Sequence, residues 1–140
     1  MPKIELSRVN GDYGFEAIDQ KGHVVKMDTN LEMGGQNYGA SPMQLLLMGL
    51  GGCSAIDVIS ILKKQRQEVR DYKMVINGDR EAGKEPSLWK DISVEFHIYG
   101  DVAEDKAFKA VELSIEKYCS VAATLVKAGA NLKWSVFVHP

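Results

Sequence analysis

The sequence predicts an α+β domain. Three observations carry this reading: strand-length runs of alternating apolar and polar residues open and close the chain, and a single apolar run near the middle is too long for a strand. The predicted strands also come in groups rather than alternating one by one with helices. The order is βββ-α-ββ-α-β, in a single domain over residues 1–140.

"KIELSRV" alternates, "YGFEAID" follows the turn residues "NGD", and "HVVKMD" follows "QKG", so the first third is a three-stranded meander. "TNLEMGGQNYGA" gathers Gly, Asn and Thr into a loop. It ends at Ser41-Pro42, an N-cap residue followed by proline at the first helical position, and the helix should run to about Gln67. Two alternating runs follow, "DYKMVINGD" and "DISVEFHIYG", with Trp89 in the loop between them. Asp101 is the predicted cap of a second helix, in which Phe108, Val111 and Ile115 recur at helical spacing. After a helix stop at Lys127-Ala128-Gly129, "NLKWSVFVHP" is the last strand.

At 140 residues the chain can bury a core without disulfides or metals. A formal net charge of -2 offers nothing to a polyanion, so no nucleic acid partner is expected. The charged N-terminal stretch "MPKIELSRVNGDYGFEAID" contains no secretory apolar segment, and the protein is expected to be cytoplasmic. No Gly-rich phosphate loop, GxSxG elbow or paired-carboxylate motif is present. His23, His97 and His139 show no ligand spacing with one another or with a cysteine, so neither a metal nor a cofactor is expected.

The stretch from Leu45 to Leu62 has Asp57 as its only charge and is long enough to raise the question of a membrane span. An aspartate near the centre of a span costs about 2.5 to 3.5 kcal/mol, and the rest of the chain is patterned for a sheet. No membrane partner is expected. A helix apolar on all sides in so small a domain needs more cover than one sheet face, and a second copy of the chain would supply it.

Cys53 lies in this run among Gly49, Gly51 and Gly52. Side chains on a helix lean toward its N-terminus, so Cys53 projects over Gly49 and finds open volume there. Helix-interior glycine costs roughly 0.5 to 1 kcal/mol relative to alanine, which points to close approach by a ligand or another backbone. The alternative is that Cys53 is a small buried hydrophobe in a tight helix crossing. Cys119 falls one turn after Ile115, on the inward stripe of the second predicted helix. Two inward thiols suit peroxide chemistry: one is oxidised to a sulfenic acid and the other resolves it as a disulfide. The local sequence offers Cys53 no activating cation, and Asp57 four residues on would oppose a thiolate.

"SPMQLLLMGLGGCSAIDV" and "EKYCSVAATL" together resemble the two cysteine motifs of the OsmC/Ohr superfamily, the osmotically inducible and organic-hydroperoxide-resistance proteins. The resemblance covers most of the chain. It implies an OsmC-like fold, an intertwined homodimer with a long central helix at its core and an active site at the interface. It also implies a thiol peroxidase without a cofactor that acts on organic hydroperoxides and is recycled by a dithiol reductant. In that reading Cys53 attacks the peroxide, Cys119 resolves, and Met43, Leu46 and Gly49 line an apolar substrate pocket. The chain departs from the family at the helix start, where Asn/Ser-Pro-Glu is usual and Ser41-Pro42-Met43 stands here. The family's catalytic arginine is missing from "VNGDYGFEAID", Arg8 being the nearest, and Ser120 replaces the usual proline after the second cysteine. These departures define the alternative: a non-catalytic protein of the same fold that binds a small apolar ligand at the dimer interface.

Overall fold

A computed structural model describes residues 1–140. The chain divides into two compact units, Met1–Leu46 and Leu47–Pro140.

In the first unit, β1 (Glu5–Asn10), β2 (Gly14–Ile18) and β3 (Val24–Met27) form an antiparallel meander in the order β1-β2-β3. Gly11, at φ 57, makes the first turn, and the Asp19 carboxylate organises the second by accepting the Lys21 and His23 backbone N–H groups. Arg8 is an exposed residue of β1, paired across the strands with Phe15. The loop beyond β3 is built around Asp28, which is buried and accepts backbone N–H groups from Thr29, Gln36 and Tyr38 at 2.7, 2.9 and 3.1 Å. Those donors, the Gln36 N–H foremost, hold its carboxyl below the ordinary carboxylate range.

The loop delivers the chain to α1 (Pro42–Lys64). Ser41 caps this helix as its sequence predicts: the Gln44 N–H donates to Ser41 Oγ and the Leu45 N–H to its carbonyl. The helix ends three residues before the predicted Gln67. Arg66 takes a left-handed φ of 58, its N–H donates to the Lys63 carbonyl, and the Gln67 N–H donates to that of Leu62. This is a Schellman stop with arginine where glycine is usual.

The second unit is a three-stranded sheet, order β4-β5-β6, of β4 (Glu68–Arg80), β5 (Trp89–Asp101) and β6 (Asn131–His139). β4 pairs antiparallel with β5, and β5 pairs parallel with β6. Trp89, expected in a loop, is instead the buried first residue of β5. The alternation read from the sequence becomes two faces. Ile92, Val94, Phe96 and Ile98 of β5 are all buried on one side, in register with Gly78, Ile76, Met74 and Tyr72 of β4. α1 packs on this side at Gly51, where a Cβ would come within 2.9 Å of Ile76 Cδ1. Gly51 thus stands directly against a side chain of the sheet.

The crossover from β5 to β6 differs from its prediction. It consists of two helices, α2 (Glu104–Leu113) and α3 (Ser120–Lys127), joined by a π turn over Ser114–Tyr118. Asp101 ends β5, and Ala103 occupies the cap position of α2. Phe108 stacks tilted against Trp134 at 5.0 Å and leaves about half its surface exposed.

α1 is long and apolar enough to cross a membrane by length and composition. Within the chain it buries a stripe at four-residue spacing, Leu50, Ser54, Val58 and Leu62. Another face stays open: Met48, Ile56 and Ile59 are 56%, 69% and 41% exposed.

Candidate active site

The two thiols reach one place by different local structures. Cys53 stands in mid-α1, half-buried, one turn before Asp57. Cys119 is not on a helical stripe. It has extended geometry, φ -74 and ψ 106, between the π turn and α3. The π turn closes with its N–H donating to the Ser114 carbonyl at 2.7 Å, and its sulfur then accepts the Ala122 N–H at 3.3 Å, capping α3. Single-turn π segments are frequent at functional sites.

The Cys53 and Cys119 sulfurs and an Asp57 carboxylate oxygen all lie within 4.8 Å of one another. Three donors are one short of the four that close a structural zinc site. Together they form a thiol and carboxylate cluster. Asp57 is also engaged from the other side: Ser114 Oγ donates to its Oδ2 at 2.9 Å and lies 3.1 Å from Ser54 Oγ. Both serines are fully buried. They link the central stripe of α1 to the π turn with hydroxyls whose partners are inside the protein, as burial requires.

Cys119 is 3% exposed, and its thiol is pushed up from 9.0 to about 11. Burial is the largest cause; the Ala122 N–H at the helix start opposes it, and the neighbouring Cys53 sulfur adds to it. At neutral pH Cys119 is a protonated thiol.

Asp57 lines a cavity of about 460 Å³ with Ser60, Ile61, Lys64, Gln65, Leu113 and Tyr118. The carboxylate thus sits between the paired sulfurs and an opening edged by Lys64 and Tyr118.

The remaining predicted residues fall on α1. Met43 and Leu46 stand on its first turns, half-buried and exposed respectively, and Gly49 lies one turn before Cys53. A Cβ placed on Gly49 or Gly52 would meet nothing within 4 Å. Sequence reading missed Ser54 and Ser114. Ser54 was detectable as the polar member of the 50-54-58-62 stripe, whereas the place of Ser114 depends on the π turn. The fold also joins two histidines that sequence spacing kept apart. His97 Nδ1 and His139 Nε2 meet at 3.0 Å on the outer sheet face, with Glu95 on the far His97 nitrogen at 3.0 Å.

Residues 34–135 match the family model described as OsmC-like protein. The chain is 44% identical over 115 residues to Protein YhfA of Escherichia coli K12, covering 81% of this chain and 82% of that protein. Its fold matches a hypothetical protein from Aquifex aeolicus VF5 with a TM-score of 0.82 at 33% identity, over 100% of this chain and 98% of that one. It also matches an organic hydroperoxide resistance protein OsmC from Legionella pneumophila with a TM-score of 0.67 at 19% identity, over 97% and 96% of the two chains.

Proposed function

Because the chain belongs to the OsmC-like family, we propose that it is a two-cysteine thiol peroxidase acting on organic hydroperoxides. The observation that carries this reading is the convergence of both thiols, from α1 and from the α2–α3 break, within 4.8 Å. Such a pair can close a disulfide with modest movement.

In the proposed cycle the Cys53 thiolate attacks the distal peroxide oxygen. The O–O bond breaks, Cys53 becomes a sulfenic acid, and the alkoxide takes up the proton released when Cys53 ionised and leaves as the alcohol. The Cys119 sulfur then attacks the Cys53 sulfur, the disulfide forms and the hydroxyl departs as water. A dithiol reductant returns two electrons and two protons. Met43, Leu46 and Gly49 are assigned to the apolar approach of the substrate, and a second copy of the chain to the open face of α1 at Met48, Ile56 and Ile59. An exposed apolar face of this kind is ordinarily an interaction surface.

The second reading, an apolar-ligand protein of the same fold, is favoured by Met43 at the usual glutamate position and by Arg8 on an exposed strand. Turnover of cumene hydroperoxide with dithiothreitol separates the two. The peroxidase reading expects turnover that Cys53→Ser abolishes; full activity in that variant overturns it.

A further inference from the structure

We infer that Asp57 is the proton acceptor of the resolving step, taking the Cys119 proton as its sulfur attacks oxidised Cys53. This role rests on the peroxidase reading and gives a task to a residue the reading leaves idle.

A buried protonated thiol is a poor nucleophile. Burial, the largest cause, pushes the ionisation of Cys119 far above neutral pH, so little of it is thiolate at pH 7. Resolution therefore needs a base at the sulfur, and the groups facing it can be named. From α1 come Cys53 and Asp57, from the π turn Ser114, and around the cavity that Asp57 lines, Lys64 and Tyr118. Cys53 is the electrophile at this stage. Asp57 is the carboxylate within 4.8 Å of both sulfurs.

Its other contacts suit the task. The Ser114 hydroxyl donates to Oδ2 at 2.9 Å and is itself placed by Ser54, which fixes the carboxylate's orientation. The cavity beside Asp57 gives water a way out. The step balances: the Cys119 S–H proton passes to Asp57, the S–S bond forms as the Cys53 S–O bond breaks, and Asp57 returns the proton to the departing hydroxyl, which leaves as water. No additional oxidant or reductant is required. General-base assistance of this kind is worth about 10² to 10⁴ in rate.

The test follows one turnover of the full-length reduced protein with cumene hydroperoxide, in wild type, Asp57→Asn and Asp57→Glu. Intact mass reports the added oxygen of the sulfenic acid, then the loss of two hydrogens as the disulfide closes. Asn still accepts the Ser114 hydrogen bond, so packing around it is retained. Expected are sulfenic acid formation no slower in Asp57→Asn than in wild type, since the lost carboxylate lies beside Cys53, and closure about 10²-fold slower, with Asp57→Glu restoring much of it. Closure in Asp57→Asn should also rise about tenfold per pH unit from pH 7 to 9, as thiolate accumulates, while wild type changes little. Equal closure rates, or slower closure with an unchanged pH profile, would overturn the role while leaving the peroxidase reading intact. Absence of any sulfenic acid or disulfide in wild type would overturn both.

Discussion

The sulfur of Cys119 accepts the Ala122 N–H at 3.3 Å, so one atom both caps α3 and takes part in the thiol cluster. The cap favours the thiolate, yet burial outweighs it and the thiol is pushed up from 9.0 to about 11. The folded chain therefore holds this proton more tightly than the unfolded chain does. Below about pH 9 both states are protonated. As the pH climbs from about 9 to about 11 the unfolded thiol ionises first, so stability is lost across that window. Cys119→Ser is the reference, because serine caps a helix equally well and lacks this titration. Urea midpoints at pH 7.5, 9 and 10.5 should fall more steeply for wild type than for Cys119→Ser. Parallel curves would show that Cys119 ionises normally. Burial also raises the Tyr72 phenol, but this acts equally on both proteins.

How far the sequence could lead is visible at this same residue. Strand alternation gave the correct faces of β4 and β5, and Ser41-Pro42 gave the start of α1, because each depends on neighbours in sequence. Helical periodicity carried Val111 and Ile115 onward to Cys119, but a π turn inserts its extra residue without any local punctuation, so the predicted stripe broke where the site is. The partnership of Asp57 with Ser114 spans 57 residues, and that of His97 with His139 spans 42. No spacing rule reaches so far, since these pairs are set by which strands and helices neighbour one another. The three glycines stand in different surroundings: Gly51 lies against Ile76 of the sheet, while Gly49 and Gly52 face open space.

Arg66 holds a left-handed φ of 58 at the exposed end of α1, in the position where glycine closes a Schellman motif without steric cost. The two capping hydrogen bonds, to Lys63 and Leu62, are made by backbone N–H groups and survive substitution. Left-handed geometry costs a non-glycine residue about 1 to 2 kcal/mol, part of which is offset because glycine also loosens the unfolded chain. Arg66→Gly should therefore stabilise the protein by about 0.5 to 1 kcal/mol, read as a higher urea midpoint with an unchanged slope. A lower midpoint would mean that the arginine side chain makes a contribution larger than its backbone strain.

Gly52 lies between Met48 and Ile56 on the open face of α1, and a Cβ there would meet nothing within 4 Å. Nothing in the chain itself calls for glycine at this position, although it costs a helix interior about 0.8 to 1 kcal/mol relative to alanine. If a second copy of the chain packs its backbone against this face, the missing side chain is what allows the approach. Leucine is a good helix former, so Gly52→Leu should retain or raise helicity by circular dichroism while blocking that approach. Sedimentation velocity at micromolar protein is expected to show a dimer for wild type and, for Gly52→Leu, a shift toward monomer equivalent to at least a tenfold weaker association. A variant that dimerises as tightly as wild type would place the self-association surface elsewhere, and one that loses helicity would show that Gly52 is constrained from within the chain.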